Sequence, residues 1–227
     1  MKTLLLIQVL LILLASCSSS QNEKLTVDEI WQNYLDSIGK KEDLLKITTY
    51  SATILSDSKF GESRINIKTK YPDKVYTEIL YPNNALVTFI INGDSGIIKS
   101  PKGIENIPQS DLIKYREGDK LFPELDFKKL GYTIILFGEE KIRGRDCYNL
   151  EIDKKYETIN YLIDKENFQV LRTMTGANIF DYFETVKIDG INLIKTSRNI
   201  TGTDTITSNY IELKLNIEID NNLFKLK

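Results

Sequence analysis

The sequence contains no histidine. That absence excludes Ser-His-Asp and Cys-His triads, imidazole general bases and every zinc site that needs imidazole. Cysteine occurs only twice, as Cys17 and Cys147, so neither a disulfide scaffold nor a four-cysteine metal site can be built. A basic excess is missing too. Thirty lysine and arginine residues face 32 aspartate and glutamate residues, a net charge of −2. A general nucleic-acid binder carries the opposite balance, so no nucleic acid is expected as a partner. No Gly-rich phosphate loop, internal repeat or Pro/Gly/Ser-rich linker occurs. Glu139-Glu140, and Asp111 with Glu117, are acidic pairs, but nearness in sequence does not set two carboxylates across a substrate. What is present, 41% hydrophobic and 27% charged residues in a chain of 227, is ordinary for a globular protein. The weight shifts from catalysis toward binding, and no enzyme activity, cofactor or metal is expected.

A membrane-spanning apolar run is also lacking at the start of the chain. Leu4 to Leu14 is apolar except for Gln8. A bilayer needs about 20 residues. The run has the length of a secretory h-region, and Lys2 precedes it. Leu14-Ala15-Ser16-Cys17 then resembles the bacterial lipobox, in which the cysteine is acylated and becomes the mature N-terminus. The resemblance implies a signal peptide over residues 1–16, a lipidated tether over 17–24 and a domain over 25–227. It implies palmitate-type chains at Cys17, each worth about 0.8 kcal/mol per buried CH₂, that make the membrane a partner. Ser18 is not the aspartate that retains enteric lipoproteins in the inner membrane. By that resemblance the chain is expected in a Gram-negative envelope, on the outer membrane facing the periplasm.

The body of the chain begins with one helix. Thr26-Val27-Asp28-Glu29 fits a capping box. Val27, Ile30, Trp31, Tyr34, Leu35 and Ile38 then form a single apolar stripe, and Gly39 stops it. From Thr48 the hydrophobic period becomes two, through a dozen candidate strands that end with Thr205–Ile219. Turn signals such as Tyr81-Pro82-Asn83-Asn84, Asn92-Gly93-Asp94 and Arg143-Gly144-Arg145 separate them, so neighbours pair as antiparallel hairpins. In the last strand Ile211, Leu213, Leu215, Ile217 and Ile219 alternate with Tyr210, Glu212, Lys214, Asn216 and Glu218. The first set is expected inside. Ile104 to Leu130 is read as a non-strand insertion of two short helices around Glu117-Gly118-Asp119. The predicted fold class is mainly β with a helical lid (α+β), a single highly curved antiparallel sheet of eleven or twelve strands. Cys147, on a strand, is expected to be a small buried hydrophobe.

The order of these elements resembles the LolA/LolB-like superfamily, whose members carry lipoproteins or lipids through the periplasm. Local matches are Ile67-Lys68-Thr69-Lys70-Tyr71-Pro72-Asp73-Lys74, Asn92-Gly93-Asp94-Ser95-Gly96, Tyr161-Leu162-Ile163-Asp164 and Val186-Lys187-Ile188-Asp189-Gly190-Ile191. The resemblance spans residues 25 to 220 and implies an unclosed β-barrel, lidded by helices, around an apolar cavity for acyl chains. It departs at Tyr71, where the soluble carrier has an arginine that bonds to the lid.

An acyl chain asks only for apolar wall. On strand phase the expected cavity lining is Ile54, Ile65, Ile67, Val75, Ile79 and Phe89, then Ile91, Ile135, Leu150, Ile152, Tyr161, Ile163 and Leu213. Each of these could instead fill a dry core. Trp31 and Tyr34 could touch ligand or merely cap the sheet. Leu112, Leu121 and Phe122 are the lid candidates, and Leu121-Phe122-Pro123 could be a gate or a buried corner. Two functions follow. One is a lipid-anchored module that binds lipid or lipoprotein acyl chains. The other is a non-catalytic subunit with a filled core that docks an envelope protein.

Overall fold

The computed structural model describes residues 24–118 and 121–227. The expected signal peptide, Cys17 and most of the tether lie outside the described residues. Helix α1 (Val27–Ile38) starts at the expected capping box. The Thr26 hydroxyl accepts the Glu29 N–H at 3.3 Å, and the Thr26 N–H donates to Glu29 Oε2 at 2.8 Å. Its stripe buries Ile30, Trp31 and Tyr34. A short α2 (Lys41–Leu44) follows.

The first meander is β1 (Thr49–Ser58), β2 (Gly61–Lys70), β3 (Lys74–Leu80), β4 (Leu86–Asn92), β5 (Ser95–Ser100) and β6 (Gly103–Asn106). Helix α3 (Gln109–Gly118) and a 3-10 turn (Pro123–Asp126) come next. The second meander is β7 (Thr133–Ile142), β8 (Arg145–Asp153), β9 (Thr158–Asp164), β10 (Val170–Thr175), β11 (Asn178–Ile188), β12 (Ile191–Thr201) and β13 (Asp204–Leu215). All thirteen strands form one antiparallel sheet in the order β6-β5-β4-β3-β2-β1-β13-β12-β11-β10-β9-β8-β7. The meanders join where β1 pairs with β13, and β6 and β7 remain as unpaired edges. This is the expected unclosed sheet with an N-terminal helix and a mid-chain insertion.

Two sequence expectations are corrected here. Residues 104–106 of strand β6 fall within the stretch that the sequence reads as a non-strand insertion. All four residues of the strand are exposed, so no alternation marks it. In β13 the expected straight alternation breaks at Ile211. The register passes from Thr53 opposite Glu212 to Ile54 opposite Tyr210, leaving Ile211 as the extra residue of a β-bulge. Leu213 and Leu215 face inward as expected, but Ile211 is 54% exposed and Tyr210 takes the inner face in its place. The strand also ends at Leu215 rather than Ile219, because Asn216 adopts a left-handed φ of 52°.

Because β6 and β7 are opposite edges, the chain from Ile107 to Tyr132 has to return across the sheet. It does so over the inner face. α3 seats Leu112 against Val75, Ile91 and Ile107. The backbone comes close at Gly96, where an added Cβ would lie 2.9 Å from both Ile107 Cδ1 and Leu112 Cδ2. The 3-10 turn then delivers Phe127 to the cluster beneath α1. On the outer face the C-terminal 3-10 turn (Asn221–Phe224) buries Phe224 against β3 and β4. Cys147 is fully buried there with Ile142, Leu162 and Leu171, the role the sequence suggested, and burial pushes its thiol up.

Candidate ligand cavity

A cavity of about 250 Å³ lies between the inner face and the chain that crosses it. Most of the described residues that line it are aliphatic or aromatic. Ligand pockets commonly run from about 300 to 1,000 Å³, so it is slightly smaller than that range.

Three structural groups meet at the cavity. The sheet contributes Ile67, Leu193, Ile194 and Leu213 as apolar wall. The returning chain contributes Leu121 and Phe122, which pack with the β1–β2–β13 cluster, and Glu124. The C-terminal half of α1 contributes Tyr34, Ser37 and Ile38. That end of α1 is firmly held. The Ser37 hydroxyl donates to Tyr34 O at 2.7 Å and to Phe168 O at 3.1 Å. Asn192 Nδ2 donates to Ser37 O at 2.7 Å.

Of the residues expected to line a cavity, the structure brings together Tyr34, Ile67, Tyr161 and Leu213, with the lid candidates Leu121 and Phe122. Trp31, Leu150, Ile152 and Ile163 form the solid cluster under α1 instead. Trp31 stacks on Phe127 with ring centres 5.8 Å apart and meets Tyr161 edge-on at 5.7 Å. Ile54 is core in the β1–β2–β13 cluster, and Ile65 packs against that cluster. Val75 and Ile91 sit under α3 with the lid candidate Leu112. Phe89 is half-buried against Tyr115, and Ile79 is half-buried on the same inner row. Ile135 is a correction, being 45% exposed on the outer face. In Ile134-Ile135-Leu136-Phe137 every residue is apolar, so alternation gives no phase. Pairing of Ile134 with Ile152 and Leu136 with Leu150 turns the even-numbered residues inward.

Sequence reasoning missed the polar end of the cavity. Glu124 is half-buried by surface area, because it lines the cavity, but protein surrounds its carboxyl. Tyr34 Oη donates to Glu124 Oε1 at 3.1 Å and Tyr161 Oη donates to the same oxygen at 3.3 Å. Burial raises the Glu124 carboxyl above its ordinary value, against the pull of both hydroxyls and the charge of Lys154. Burial also lifts both phenols well above theirs, reinforced by Glu124. Nearby on the wall, Tyr182 Oη and Thr173 Oγ1 lie 2.9 Å apart.

Tyr71, the departure from the carrier pattern, is engaged by the returning chain. Its hydroxyl accepts the Leu121 N–H at 2.5 Å. A tyrosine thus fixes this crossing segment at its entry to the cavity. Among the described residues no group of histidine, cysteine and carboxylate side chains could hold a metal ion. No helix among them is long and apolar enough to cross a membrane.

The same fold is found in solved structures of other bacterial proteins. A DUF1329 family protein from Desulfovibrio piger is similar over 88% of this chain and 97% of its own, with a TM-score of 0.63 at 14% identity. A domain from Vibrio parahaemolyticus, named for outer-membrane lipoprotein sorting, is similar over 88% and 97%, with a TM-score of 0.60 at 13% identity. A LolA superfamily protein from Nitrosomonas europaea covers 89% and 98%, with a TM-score of 0.59 at 15% identity. At such identities the likeness is one of fold. No protein-family model matches the sequence, and no curated protein matches it as a relative.

Proposed function

We propose that the chain is a lipid-anchored protein of the Gram-negative envelope that binds the acyl chain of a lipid or lipoprotein in this cavity, without catalysis. The observation that carries the reading is the apolar space between Leu121-Phe122 and the Ile67–Leu213 wall. A dry core would close that space, because interiors pack to crystal-like density. The lipobox resemblance at Leu14-Ala15-Ser16-Cys17 supports the anchor, and a tethered chain acts as a receptor or resident module rather than a shuttle. A neutral aliphatic fluorescent dye is expected to bind the 24–227 chain, which holds every strand and helix described above. Ile67→Gln, on the cavity wall, should abolish that binding with the fold retained. A folded chain that binds no dye and purifies without lipid would favour the docking-subunit reading. Cys17→Ala should release the protein from the membrane fraction, and an unchanged fraction would refute the anchor.

A further inference from the structure

We propose that Glu124, Tyr34 and Tyr161 form a head-group site, selecting an amphiphile with a neutral hydroxyl-bearing head and rejecting one that ends in a free carboxylate. This rests on the acyl-binding reading and deepens it. A cavity for hydrocarbon alone has no use for a carboxyl group, since taking a polar group out of water is costly unless hydrogen bonds compensate. Here the carboxyl is held inside by two phenol donors that converge on a single oxygen, Oε1. A carboxylate offers about four lone-pair sites and each phenol keeps acceptor capacity. An inserted hydroxyl can therefore donate to a free lone pair of Glu124 or of a phenol oxygen while both tyrosines keep their bonds to Glu124. A ligand carboxylate can only accept. It would meet Glu124 as a like charge, and no lysine or arginine among the described residues lines the cavity to neutralise it. Lys154, whose charge acts on the Glu124 carboxyl, also lies 5.0 Å from the Phe127 ring and 3.6 Å from Glu157. An ammonium head would lose more hydration than one carboxyl already shared by two phenols can return. The site is thus matched to an alcohol such as the glycerol hydroxyl of a monoacylated lipid.

The test is displacement of Nile red, a neutral dye, from the 24–227 chain by 1-dodecanol, dodecanoate and dodecylamine at mildly alkaline pH. Dodecanol should displace the dye at a concentration about tenfold lower than dodecanoate. In Glu124→Gln that preference should shrink to within about threefold, through a gain for dodecanoate. Tyr161→Phe keeps the ring but removes the phenol oxygen, and should raise the dodecanol concentration needed for displacement by more than it changes Nile red affinity. It keeps the proposal testable if the glutamine variant does not fold. Equal displacement by dodecanol and dodecanoate in the parent chain, or an undiminished preference in Glu124→Gln, would overturn the head-group site. Stronger displacement by dodecylamine would overturn the choice of a neutral head. If Nile red itself fails to bind the folded chain, the acyl-binding reading has failed first.

Discussion

Beneath α1 the inner face is packed solid, and beneath α3 it is not. In the first region Leu150, Ile152 and Ile163 have no exposed surface, and Trp31 and Phe127 have at most 2%. In the second, the described residues Val75, Ile91, Ile107 and Leu112 are buried, while Ile79 and Phe89 keep part of their surface. Thr69 Oγ1 and Thr77 Oγ1 are buried on that same inner face with no hydrogen-bond partner among the described residues. Buried apolar contact sets how readily a region opens, so the α3 side is the weaker wall. The cavity lies where the two regions meet. Its α1 wall is fixed by the Ser37 and Asn192 hydrogen bonds, so widening it for a ligand falls to the other side.

The largest expected effect tests the solid region. Trp31→Ala should destabilise the chain by about 3–5 kcal/mol, and Leu112→Ala by about 2 kcal/mol, the low end for a buried leucine. Chemical denaturation decides this, and equal losses would erase the contrast between the regions.

An intermediate effect is expected on the outer face, where the sheet is pinned by charge. Arg172 Nε lies 2.7 Å and Arg198 Nη2 2.9 Å from the fully buried Asp181, and Arg143 lies 3.7 Å away. Burial raises the Asp181 carboxyl, but the hydrogen bonds from Arg172 and Arg198 and the charges of Arg172 and Arg143 outweigh it and hold the group below its ordinary 3.8. A lowered carboxyl stabilises above its unfolded value and loses that contribution as pH falls through the folded one. Asp181→Asn should therefore cost about 2 kcal/mol at neutral pH, less than a fully buried pair because the arginines remain partly in water. The loss should vanish in strong acid, which thermal melts across the acid range would show. A pH-independent loss would assign Asp181 a packing role alone.

The smallest effect sharpens the view of the loose side. Thr77→Val keeps the shape and removes an unpartnered hydroxyl, and should stabilise by about 1 kcal/mol. A loss of stability would mean that the hydroxyl has a water partner.

Much of this architecture was legible in the sequence, for physical reasons that differ by element. The capping box at Thr26 and the Ile30–Trp31–Tyr34 stripe predicted α1 because helix starts and amphipathic faces are local properties. Short turns between apolar–polar runs predicted the antiparallel meander. The phase of β7 was not legible, because four apolar residues in succession look alike from either face. The bulge at Ile211 was hidden as well, since only the partner strand shows which residue is surplus. Six of the eighteen expected cavity and lid residues meet at the cavity. The others are as apolar as those six, and alternation cannot tell a residue on an open wall from one under a helix. Glu124 was invisible because a carboxylate in a short acidic stretch reads as surface until its tyrosine partners, 90 and 37 positions away, are placed.

The seam between β1 and β13 bears on how the molecule assembles. Ser56 and Ser208 bond across it at 2.8 Å although 152 positions separate them in the chain. The two hairpin series on either side can each form from neighbouring segments, but the central pairing has to wait for the last strand. Contacts between distant segments slow folding, because loop-closure entropy is lost before the pairing compensates for it. While the C-terminal segment is still being synthesised, β1 has an open hydrogen-bonding edge in the middle of the future sheet. A chain truncated before β13 would keep that edge permanently, and self-association through it is the expected result.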